Sequence, residues 1–247
     1  MDGKARLFLT REEAVEAIRI DFEQYAPQLG LFASLYPLVA DGAASVGQRD
    51  GVKGISITRT NGGRDFIPGD EAGQRIWDAL CRAKLDLAEL ARVCGKVFWG
   101  PTEVGPECPG GERGIWLETG VERFRCRRCG TCCFTLDFRC ECTQDDLARW
   151  KANGREDIME WVGDVFVDGQ WLRNRLWVRP GTHLPVEYCP WMVQRPDGGY
   201  SCGIQDVKPD VCRDYPGSVK HGALTGCNFF ADEQRCYREM DKIREES

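Results

Sequence analysis

Apolar and polar positions recur at two periods along this chain, and the period assigns the elements. From Thr10 onward Ala14, Ile18, Phe22 and Tyr25 follow at three- and four-residue steps, one stripe on one side of a helix. Thr10-x-x-Glu13 reads as its capping box, and Pro27 is expected to end it. Leu31 to Val39 is a second apolar stretch, read as a helix broken at Pro37. Ile55 and Ile57 alternate within a short strand from Gly54 to Thr60; Asn61-Gly62-Gly63 supplies a turn and Phe66-Ile67 a returning strand. The longest helical pattern runs from Asp70 to Cys94, with Ile76, Leu80, Ala83, Leu87, Leu90 and Cys94 on one stripe and Gly95 as its stop. Cys94 on that stripe and Cys81 beside it read as buried thiols acting as small hydrophobes.

The stretch from Gly100 to Gly114 is rich in Gly and Pro and carries Cys108 as a loop thiol. It marks the expected boundary between residues 1–114, helical with a short hairpin, and residues 115–247. Beyond it, Ile115-Trp116-Leu117 and Val121 to Arg125 read as strands about Thr119-Gly120. Thr143-x-x-Asp146 opens a helix with Leu147 and Trp150 inward, Asp157 to Val162 forms another, and Val165–Val167 with Trp171–Val178 forms a hairpin about Asp168-Gly169. A polar turn from Arg195 to Gly199 leads to Tyr200-Ser201-Cys202. Pro209 suits the first turn of a short helix carrying Cys212, Pro216 its end, and Cys236 lies on the final helix. Trp171, Trp177 and Trp191 are expected in the core. The fold class is α+β: a helical N-terminal part plus an irregular, cysteine-rich metal-binding domain with short helices and hairpins.

Composition narrows the functional classes. The net charge of −6 argues mildly against a general nucleic-acid binder. No basic and apolar leader opens the chain, and the most apolar segment, Leu29 to Ala44, carries Pro37 and Asp41 and is too short to span a bilayer. A cytoplasmic protein is expected. In that compartment 14 cysteines stay reduced, so their clustering points to metal rather than disulfides. Neither phosphate-binding glycine pattern is present, and His183 and His221 have no partner at metal or triad spacing.

The chemistry concentrates in Cys126-Arg127-Arg128-Cys129-Gly130-Thr131-Cys132-Cys133, four thiols within eight residues. A C-x-x-C step bends the chain so that two sulfurs face one point, and a further x-x-C step adds a third, which suits Zn(II) or three corners of an iron–sulfur cube. Gly130 stands where such a turn needs a positive φ. The adjacent Cys132 and Cys133 point in different directions, which leaves room for one of them to serve a second centre. Cys140 and Cys142, two apart, would face one side of an extended segment. Arg123, Arg125, Arg127 and Arg128 form a solvated basic face, support thiolates by their charge, or contact nucleic acid.

C-x-x-C-G-x-C-C, then Cys189-Pro190, then Cys202-x-Ile204, then Pro209-x-x-Cys212-Arg213-x-Tyr215-Pro216 resembles the C-x-x-C-x-x-C-C cysteine-cluster family, the YkgJ-type zinc- or iron-chelating domain also described as iron–sulfur-cluster-containing protein. The resemblance covers roughly 40% of the chain, from Cys126 to Cys227. Two departures are Gln205 where members commonly have Tyr, and Lys208 where they have Arg. The thiols carried over are Cys126, Cys129, Cys132, Cys133, Cys189, Cys202 and Cys212, with Cys227 as the eighth; Cys140 and Cys142 fall outside the pattern. Eight thiolates would hold one or two iron–sulfur clusters of the 4Fe–4S type, or two Zn(II) ions, and seven would leave an open iron position. Iron–sulfur is the first reading, implying electron transfer or a redox or group-transfer step with a protein partner. Structural zinc in an interaction protein is the second. A protein-modifying enzyme is the third, because some flagellin lysine methylases carry a similar block, although no methyl-donor site is readable here.

Overall fold

The computed structural model describes residues 5–135, 142–182 and 184–236. They form a mixed α+β fold with small antiparallel sheets, in two compact units. The first unit holds residues 5–122, Ser218–Lys220 and 232–236; the second holds Arg123–Gly217 and His221–Ala231. Cys140 and His183 lie outside the described residues.

In the first unit β1 (Arg6–Leu9) leads into α1 (Arg11–Gln24). The Glu13 N–H donates to Thr10 Oγ1 at 3.2 Å and the Thr10 N–H to Glu13 Oε2 at 2.8 Å, the expected capping box. Ala14, Ile18 and Phe22 are buried. Helix α2 (Leu29–Val39) runs through Pro37 instead of breaking there. Buried Tyr36 and Val39 flank the proline, and their packing outweighs its missing hydrogen bond. Strands β2 (Ala43–Arg49), β3 (Val52–Thr58) and β4 (Arg64–Pro68) form one antiparallel sheet, with buried Ile55 opposite Ile67.

The pattern from Asp70 to Cys94 is two helices, not one. Helix α3 (Ala72–Arg82) ends where Ala83 turns extended, at ψ 130°, and α4 (Leu87–Phe98) restarts behind a second capping box between Asp86 and Glu89. Gly95 lies inside α4, which stops at left-handed Trp99, φ 58°. Cys94 is buried, as expected, but Cys81 is exposed. It follows the buried Ala79 and Leu80 and so turns off their face by one helical step.

The Gly/Pro-rich stretch is largely a hairpin rather than a loop. β5 (Thr102–Pro106) and β6 (Arg113–Glu118) pair antiparallel, β6 is central in the order β1-β6-β5, and Cys108 is exposed between them. Because β6 belongs to this sheet, the units divide after Glu122 and not at 114/115. Val121–Arg123 is a single 3-10 turn where a strand was expected; burial of Val121 turns the chain inward.

Ser218–Lys220 completes this unit. Lys220 is 1% exposed, and its Nζ donates to Asp21 Oδ1 at 2.6 Å, Gln28 Oε1 at 2.7 Å and the Val97 carbonyl at 2.8 Å. All three ammonium protons are thus engaged. Burial pushes the Asp21 carboxyl up and the Lys220 ammonium down, and each charge opposes the other's shift.

The second unit contains α5 (Thr131–Thr135), α6 (Gln144–Ala152), α7 (Glu156–Met159), the hairpin β7 (Val162–Val167) and β8 (Gln170–Leu176), the hairpin β9 (Met192–Gln194) and β10 (Tyr200–Cys202), α8 (Asp210–Arg213), and, from His221 on, α9 (Val219–Leu224). Helix α7 stops at Met159 because Val162 already pairs with Leu176, which shortens the helix expected to Val162. Trp150, Ile158, Leu176, Trp177 and Ile204 form the core, with Leu147 and Trp191 packed against it. Trp171 is not core: it is exposed on the β7–β8 hairpin, and its indole donates to Asp164 at 3.0 Å. Among the described residues no helix is long and apolar enough to cross a membrane.

Candidate metal centre

The C-x-x-C stretch is a turn held by its own backbone. Arg128 (φ 55°) and Gly130 (φ 77°) both adopt the left-handed conformation, and the Arg128 N–H donates to Cys126 Sγ at 3.4 Å. Gly130 is required twice over, because a Cβ there would also meet Tyr200 Cδ2 at 2.7 Å. The Gly130 carbonyl accepts from the N–H groups of Cys133 and Phe134 and starts α5. Cys132 and Cys133 therefore sit on consecutive helical positions, their Sγ atoms 4.0 Å apart.

Later segments are stitched onto this turn. The Tyr200 N–H donates to the Arg128 carbonyl at 2.9 Å, which fixes β10 and with it Cys202. The Cys189 N–H donates to the Cys133 carbonyl at 2.8 Å. Arg127 donates to the Asn228 carbonyl at 3.1 Å and stacks over Phe229, which brings the residues after Cys227 to the first thiols. Cys212 is set from further away. Asp146, fully buried on α6, accepts the Asp210 N–H at 2.9 Å; Arg149 pairs with Asp146 and Asp210 and donates to the Lys208 carbonyl at 2.9 Å. This clamp fixes the start of α8, two residues before Cys212.

A cavity of about 490 Å³ results. Cys126, Cys132, Cys133, Cys189, Cys202 and Cys212 line it, with Trp177, Tyr200, Tyr215, Arg128 and Lys208. Cys129 and Cys227 are not in the lining; the Cys129 charge acts on Cys132, and those of Cys129, Cys132 and Cys126 act on Cys227. Six of the eight thiols named from the sequence, from separate segments, thus line one cavity. Sequence reasoning left out Cys142, which is buried beside Asn174 away from the cavity. Cys81, Cys94 and Cys108 belong to the other unit, and Cys236 is exposed. Every described cysteine is a free thiol.

Crowding shows in the acidities. Cys132 is pushed up, first by its hydrogen bond with Cys133 and then by burial and the neighbouring thiolate charges. Cys133 gains from the bond with Cys132, but Cys189 and burial outweigh it and raise the thiol to about 12. Burial, reinforced by the charges of Cys132, Cys133 and Cys202, raises Cys212 well above the usual thiol range. Cys129 is the exception. Burial opposes its ionisation, but the Thr131 hydroxyl at 3.3 Å and the N–H groups of Thr131 and Asn228 prevail and lower it. Like charges held this close ionise together only when a cation relieves them.

The donor set fits a thiophilic cation in kind. The Trp177 side chain, which lines the cavity, has an indole N–H with no acceptor among the described residues, and a sulfur acceptor would satisfy it. In spacing the set is not closed: among the described residues no three Cys, His, Asp or Glu side chains converge as a ligand group. Compared with family models, with curated proteins and with solved structures, the chain finds no match. Sequence reasoning missed Thr131, Tyr200 and the Asp146–Arg149 clamp. Only the Thr143-x-x-Asp146 box pointed toward the clamp, and it did so as a helix start.

Proposed function

We propose that the second unit binds one or two iron–sulfur clusters of the 4Fe–4S type, with ligands drawn from the thiolates of Cys126, Cys129, Cys132, Cys133, Cys189, Cys202, Cys212 and Cys227, and serves electron transfer or a redox or group-transfer step with a protein partner in the cytoplasm. The observation that carries this reading is the gathering of six free thiols, from segments as far apart as Cys126 and Cys212, about one cavity, with Cys227 electrostatically coupled to Cys126, Cys129 and Cys132. A packed core gains nothing from thiols whose acidities oppose one another, whereas iron or zinc turns that repulsion into ligation. The electrostatic neighbours fall into two overlapping sets. Cys126, Cys129 and Cys132 act on Cys227, while Cys189 and Cys202 act on Cys133, and Cys132, Cys133 and Cys202 act on Cys212, so that Cys132 belongs to both sets. The redox role itself follows from the resemblance to the cysteine-cluster family.

One observation favours zinc instead. The 4.0 Å between Cys132 Sγ and Cys133 Sγ is close to the edge of a tetrahedral ZnS₄ site, about 3.8 Å for bonds of about 2.3 Å. Anaerobic purification separates the two readings. Iron–sulfur protein is brown, absorbs broadly near about 400 nm and carries stoichiometric iron and acid-labile sulfide. Colourless protein that retains only zinc after reconstitution with iron and sulfide would establish the structural-zinc reading.

A further inference from the structure

The first unit carries a second cavity, remote from the thiol chemistry in composition. It measures about 310 Å³, within the range of small-ligand clefts, and lies between α2, α3 and the β3–β4 sheet. Tyr36, Val39, Ile57 and Ala79 supply an apolar surface, and Arg59, Arg75 and Arg82 supply three guanidinium groups. Arg75, Ala79 and Arg82 are spaced i, i+4, i+7 and so share one face of α3.

The charges are not balanced from within. Asp65 is the one carboxylate in the lining, and it pairs with Arg59 at 3.5 Å. Arg82 uses only Nε, donating to the Asp78 carbonyl at 3.0 Å. No hydrogen bond or ion pair engages Arg75 among the described residues. Tyr36 adds an independent sign. It is 8% exposed, lines the cavity, and its hydroxyl has no hydrogen-bond partner among the described residues. A surface that only needed solvation would not need a recessed tyrosine hydroxyl beside two guanidinium groups without carboxylate partners.

We propose that this cavity binds a small organic anion, its carboxylate or phosphate head on Arg75 and Arg82 and its apolar body on Val39, Ile57, Ala79 and the Tyr36 ring. Arginine forks recognise both head groups by paired N–H donors, and the Tyr36 hydroxyl supplies one more. The test is isothermal titration of the full chain at low salt with phenyl phosphate, benzoate, benzyl alcohol and inorganic phosphate. At least one of the two aromatic anions should bind at one per chain, about tenfold or more tighter than benzyl alcohol or inorganic phosphate. Arg75→Gln with Arg82→Gln should weaken that binding by about tenfold or more, and Tyr36→Phe by a smaller factor. Both arginines are exposed, so an unchanged melting temperature will show that the double variant folds. Arg92→Gln with Arg113→Gln removes the same charge away from the cavity and should leave binding unchanged. Three results overturn the proposal: neither aromatic anion binding, benzyl alcohol binding as tightly as the anions, or the off-site double variant weakening binding as much as the on-site one.

Discussion

Replacing Asp146 with Ala tests whether a buried ion network positions Cys212. The carboxylate is fully buried and accepts the Thr143 N–H at 3.0 Å, the Asp210 N–H at 2.9 Å and Arg149 Nη2. The substitution removes half of a capping box, worth about 1 kcal/mol. It also leaves the Asp210 N–H without its acceptor, for about 1–3 kcal/mol. Arg149 keeps Asp210 at 3.1 Å and so is not stranded entirely. The two terms together come to about 2–4 kcal/mol, overlapping the usual cost of breaking a buried pair from one side. Asp146→Asn retains one acceptor and should cost about half as much. Urea unfolding followed by the fluorescence of Trp150 and Trp177, both in this unit's core, reads the stability. Iron and sulfide content after anaerobic reconstitution reads the geometry of Cys212, and should fall together with the stability. A loss below about 1 kcal/mol would refute the energetic reasoning. Full stability loss with metal content unchanged would show that the clamp does not set Cys212.

Cys126→Ser, Cys129→Ser and Cys212→Ser should each lower metal content sharply, while Cys81→Ser and Cys94→Ser should keep it; elemental analysis decides. Lys220→Met strands the buried Asp21 carboxylate and should destabilise the first unit by about 3–5 kcal/mol, and pairing it with Asp21→Asn should recover most of that loss, read by hydrogen exchange of the α4 amides. Burial raises the Cys94 thiol to about 12 from an ordinary 9.0, so at pH 8 its thiolate fraction is lower by about a thousandfold. Timed alkylation with mass spectrometry should therefore modify exposed Cys81 long before Cys94, and equal rates would count against the burial described here.

What could be read from the sequence was local. Thr10-x-x-Glu13 and Thr143-x-x-Asp146 each state a helix start within four residues, and Asp168-Gly169 states a hairpin, because cap and turn chemistry lies in neighbouring side chains. The same rule could have divided the long helix: Asp86-x-x-Glu89 is a capping box too, but the apolar stripe continuing across the break concealed it. The Gly/Pro-rich hairpin was hidden because its central strand β6 is held on its other side by β1, about a hundred positions earlier. The thiols were legible as a set because their residue type and spacing carry the chemistry. Their framing by Asp146, Arg149 and Tyr200 was not, since each works through a main-chain atom of a distant segment.

The buried lysine has a consequence for the order in which the chain can fold during synthesis. Asp21 leaves the ribosome 199 residues ahead of Lys220, the cation that neutralises it. Until then helix α1 can dock only with an uncompensated charge or with Asp21 protonated, which disfavours closure of the N-terminal unit while the thiols from Cys126 to Cys212 are being translated. Cutting the chain at Glu122 would make that interim state permanent, for the fragment would hold the lock without its key. The first unit, although it lies almost wholly within the first half of the chain, thus waits for Lys220 to pair its buried charge.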